Sequence, residues 1–173
     1  MTDEILHIVS KFRKAFLSSY DPSGQAPATE YQADQLTLVK NITQMFLQTS
    51  TYSSMLETAF LQKTREFFRQ QSDVKIENLP VSEYITFGMA VIQVESNFAY
   101  FYLEEDSFLR ATECLEEELF RQHQETIMKG LPELIASYPS SADTLKTLFE
   151  IVEQTEMMPR MVTAWRKYIT DVG

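Results

Sequence analysis

The sequence predicts an all-α protein, and three observations carry the prediction. Only four glycines and six prolines occur among 173 residues, too few for the repeated tight turns of a strand-rich chain or for phosphate-cradling glycine loops. Apolar residues recur every three or four positions, and no strand-like alternation of useful length remains once those stripes are assigned. The hydrophobic fraction is 44% and the aromatic fraction 12%, enough apolar surface to offset chain entropy, so the chain folds.

The first helix is marked by Ile5, Ile8, Val9, Phe12 and Phe16, with Lys11, Arg13 and Lys14 in the positions between. It should stop near Ser18, because Asp21-Pro22-Ser23-Gly24 and Pro27 form the clearest turn cluster; residues 19 to 29 are the expected mobile loop. Thr29 and Gln32 can then form a capping box, each side chain satisfying an orphan backbone N–H, ahead of a stripe of Leu36, Val39, Ile42 and Phe46 that ends near Thr49. A third helix enters through Thr49 to Ser54 and buries Leu56, Ala59, Phe60 and Phe67, leaving Gln62, Lys63 and Arg65 to water, before Asn78-Leu79-Pro80 breaks it.

Tyr84 to Leu103 carries one formal charge, Glu95, so a helix built from it is apolar on nearly every side and should lie centrally or against a partner. Thr86, Gln93, Glu95, Ser96 and Asn97 near its middle argue against a membrane span, since one acidic side chain there costs about 2.5–3.5 kcal/mol. Asp106 or Ser107 can cap a long fifth helix with Phe108, Ala111, Leu115 and Leu119 on one face, and Gly130 is placed as its stop. Leu131-Pro132 opens a short helical turn to Ser137, and Pro139-Ser140-Ser141 marks a corner. Leu145, Leu148, Phe149 and Val152 form the next stripe, and a last helix from near Pro159 places Met161, Ala164, Trp165 and Tyr168 on one face. Phe12, Phe16, Phe46, Phe60, Phe67, Phe98 and Trp165 are the large core candidates.

Charge and reactive groups narrow the function. A net charge of −10 gives little attraction for phosphate backbones or anionic lipid, so neither nucleic acid nor a membrane is expected as a direct partner. One cysteine, Cys114, excludes an intramolecular disulfide and a multi-cysteine zinc site, and the acidic start Met1-Thr2-Asp3-Glu4 does not look like a secretory signal. These features suit cytosol or nucleus. Glu4 and His7 have the i, i+3 spacing of a helical metal site, but His123 lacks the matching acid, so no metal and no cofactor is expected. Cys114 and His123 lie nine residues apart on the expected fifth helix, on opposite sides, and cannot form a thiolate–base pair while it is continuous. Glu116-Glu117-Glu118 and Glu104-Glu105-Asp106 read as solvated faces. No catalytic residue is expected. Tyr100-Phe101-Tyr102 stands apart: three consecutive aromatics cannot all face one core, so they are the candidate partner-binding residues.

An ordered series of residues resembles the cullin family. It begins with Tyr52, Phe60-Leu61, Thr64 and Phe67-Phe68, continues through Val81-Ser82-Glu83-Tyr84-Ile85 and Tyr102-Leu103, and runs on to Cys114-Leu115-Glu116, Phe120, His123 and Gly130-Leu131. Leu148-Phe149, Trp165 and Tyr168-Ile169 close it in the cullin order. The resemblance implies elongated, stacked helical repeats of the cullin-repeat type, about seven or eight helices, from the middle-to-late part of the N-terminal stalk. Residues 1–173 would form one unit running into the start of a second, with a corner near 131–141. It also implies a non-catalytic scaffold segment of a cullin-RING ubiquitin ligase, holding a substrate adaptor apart from the RING subunit and its E2. The expected partners are an adaptor, a RING subunit or a cullin regulator, met through the full-length scaffold. Val91-Ile92-Gln93-Val94-Glu95 departs from the charged face usual in the family, which marks a divergent member or a fragment. No segment matches the first, adaptor-docking repeat or the neddylated C-terminal domain. A helical rod of a tethering or vesicle-trafficking complex is the alternative reading.

Overall fold

The computed structural model describes residues 2–19 and 33–172, and all regular structure among them is helical. Eight α-helices follow in order: α1 (Thr2–Ser19), α2 (Ala33–Gln48), α3 (Thr58–Asn78), α4 (Val81–Tyr102), α5 (Glu105–Glu116), α6 (Gln124–Ala136), α7 (Ala142–Gln154) and α8 (Met158–Val172). Two π-helical turns, Tyr52–Glu57 and Glu117–Arg121, precede α3 and follow α5. Past Ser19, the expected loop lies outside the described residues, as do the Thr29–Gln32 pair and the side chains of Phe16, Leu36, Phe101 and Tyr102.

The chain divides into two compact units, one of residues 1–67 with 92–114 and one of residues 68–91 with 115–173. In the first, the α1 stripe of Ile5, Val9 and Phe12 meets Val39, Ile42 and Phe46 of α2 and Leu56, Phe60 and Phe98 in one apolar cluster. Phe12 stacks on Phe98 with ring centroids 4.5 Å apart. In the second, Phe68, Tyr84, Phe87, Leu119, Phe120, Ile127 and Leu131 are fully buried, and α6 packs against α7 and α8. Each such apolar side chain taken from water contributes about 1.5–3 kcal/mol.

Several expectations are corrected. The helix expected to run to Gly130 breaks after Glu116 into the second π-helical turn, and α6 then passes through both Gly130 and Pro132 to Ala136. Gly130 is a point of close approach instead of a stop: a Cβ there would lie 2.5 Å from Val81 Cγ2 and 2.7 Å from Val81 Cβ. Asp106 and Ser107 sit inside the first turn of α5, and the Ser107 hydroxyl donates to Glu57 Oε1 at 2.7 Å, so Ser107 does not serve as a cap. Glu118 is no solvated residue; it is buried against Arg69. Phe149 and Trp165 are exposed and Phe67 is half-buried, while Ile151 and Phe68 take the core positions beside them. Arg13, placed by its spacing among water-facing residues, is buried.

Candidate functional site

Arg13 of α1 reaches a buried carboxylate on α4. Its Nε and Nη2 donate to Glu95 Oε1 and Oε2 at 2.9 and 2.8 Å, a two-pronged pair, and Nη2 also donates to Thr64 Oγ1 at 2.8 Å. The Thr64 hydroxyl in turn donates a hydrogen bond to the Phe60 carbonyl at 2.8 Å, one turn back along α3. The guanidinium lies 5.3 Å from the Phe60 ring centroid and 5.8 Å from that of Phe67, so its faces as well as its edges are occupied. Burying both charges is tolerable because planar guanidinium and carboxylate match in two parallel bonds. Three helices are thereby held in one register by an acid in the middle of a largely apolar helix.

A second carboxylate braces the corner between α4 and α5. Glu57 accepts from Ser53 at 2.6 Å, from Ser107 at 2.7 Å and from Arg110 at 3.0 Å. Burial would raise its pKa, but the two hydroxyls and the Arg110 charge outweigh it and hold the carboxyl below its ordinary value. The Glu104 N–H donates to the Tyr52 hydroxyl at 3.3 Å, and burial raises that phenol, which stays protonated. Outside this bracing sits Tyr100, 76% exposed, its ring edge-on to Phe108 with centroids 6.5 Å apart. Phe108 itself packs against the first unit's core.

In the second unit the Tyr84 hydroxyl donates to the Leu119 carbonyl at 2.5 Å, and burial pushes the phenol well above its usual range. His123 stands edge-on to the Tyr84 ring at 5.9 Å, with Nε2 3.0 Å from Ser72 Oγ. The Ser72 hydroxyl donates to the Arg69 carbonyl at 3.0 Å, an arrangement that suits an imidazole donating from Nε2. Burial lowers the His123 pKa against the opposing pull of Asp73 and Glu118. Glu118 accepts from Arg69 Nε and Nη2 at 2.9 and 3.2 Å. A cleft of about 310 Å³ beside Gly130 is lined by Pro80, Ser82, Glu133 and Ser140.

These groups do structural chemistry. Cys114 is buried, with its Sγ 3.9 Å from the Leu61 carbonyl, while His123 has the separate partners just described. Glu4 and His7 are exposed on α1, and among the described residues no three His, Cys, Asp or Glu side chains are gathered for a metal ion. Nor, among them, is any helix long and apolar enough to cross a membrane. Of the three candidate partner residues, Tyr100 is exposed; the side chains of Phe101 and Tyr102 lie outside the described ones.

The family model of the cullin α-solenoid domain matches residues 1–173. The chain belongs to the cullin family. It is 22% identical over 173 residues to Cullin-4 of Schizosaccharomyces pombe, an alignment that takes in 98% of this chain and 22% of that protein. This cullin chain thus spans about a fifth of the length of the curated relative it matches. Four of the residues that carry the resemblance make close contacts in the cullin solenoid segment: Tyr52 and Thr64 accept the bonds that tie helices together, Tyr84 closes on Leu119, and Gly130 admits Val81. The sequence reading leaves Arg13 and Glu118 to water and gives Glu57 no role. The usable signal was an isolated charge inside an apolar helix, Glu95, which demands a buried cation somewhere in the chain.

Proposed function

We propose that this chain is a non-catalytic scaffold segment of a cullin-RING ubiquitin ligase, spacing a substrate adaptor from the RING subunit and its E2 in the cytoplasm or nucleus. The observation that carries the reading is the match of the cullin solenoid model to residues 1–173. A spacer needs stiffness more than reactive groups, and the two-pronged Arg13–Glu95 pair and the Glu57 brace supply stiffness within the first unit. Residues 1–173 are read as one cullin-repeat unit running into the start of a second, with partner contact at Tyr100 and at Phe101 and Tyr102 beside it. Affinity purification of the chain from its native cells, with bound proteins identified by mass spectrometry, tests the reading. The expected catch is an adaptor, a RING subunit or a cullin regulator; membrane-tethering subunits without ubiquitin machinery would overturn it.

A further inference from the structure

We draw no further inference here: the strongest candidate, the apolar stripe of Val162, Trp165 and Ile169 exposed along α8, is a bare helix face, and nothing in the structure shows what covers it.

Discussion

At the scale of single residues, the Arg13–Glu95 pair sets the sharpest expectation. Each partner is nearly excluded from water, with side-chain exposures of 3% and 6%. Removing either charge leaves the other buried without its opposite charge, which costs about 3–5 kcal/mol, whereas exchanging both for apolar residues of similar volume is often neutral. Arg13→Met and Glu95→Leu should therefore each lower the urea midpoint severely, and the R13M/E95L double variant should recover most of the loss. Additive losses in the double variant would show that the pair contributes packing and not charge compensation. The same pair shows where the sequence is opaque. Phe12 and Phe98 are legible as core from helical spacing, but the spacing that buries Phe12 sets Arg13 beside it as a surface cation. Its burial depends on Glu95, 82 positions away in the chain, and on Thr64, 51 away.

At the scale of elements, helix existence was legible and helix boundaries were not, for a reason visible at Gly130. Propensity marks glycine as a stop, and Pro132 behind it strengthens the signal. Yet α6 runs through both, because Gly130 lies against the first residue of α4 and the missing Cβ is what lets the two approach. Close approach between distant segments leaves no local trace that separates it from a cap. Gly130→Ala should improve intrinsic helix propensity by about 1 kcal/mol and still destabilise by about 1–3 kcal/mol, since the added carbon would lie 2.7 Å from Val81 Cβ. No rotamer change moves a Cβ, so Val81→Ala should rescue little and Val81→Gly should rescue most of the contact term. A double-mutant cycle on G130A and V81G measures that coupling; zero coupling would place the cost elsewhere. The candidate surface was legible in part: an aromatic triplet pointed to the end of α4, where Tyr100 is exposed, but the Glu57 brace joins Ser107 and Arg110, 50 and 53 positions away in the chain, and leaves no local trace.

At the scale of the whole molecule, the net charge of −10 and the buried groups pull acid stability in opposite directions. Mild acid relieves self-repulsion among the carboxylates. It also protonates groups that the fold keeps neutral or paired. His123 has its pKa lowered by burial from the ordinary 6.5, so as pH falls below that value the unfolded chain takes up a proton that the folded chain refuses. The unfolded state then binds more protons, and stability declines with falling pH until the folded imidazole also titrates. Glu57 acts in the same direction in a lower window: its carboxyl is held below the ordinary 4.5, so its contribution is complete above that value and is lost as pH falls through the folded pKa. Two descending steps are expected, the first assigned to a single side chain with Tyr84, Asp73 and Glu118 around it. His123→Gln keeps a donor for the Ser72 hydroxyl but cannot titrate. Urea midpoints measured between pH 7.5 and 5.5, values set by the ordinary range of imidazole, should fall less in this variant than in the parent, while the step below 4.5 should remain. Equal slopes in the upper window would mean that His123 accepts its proton in place, and that Asp73 and Glu118 balance its burial.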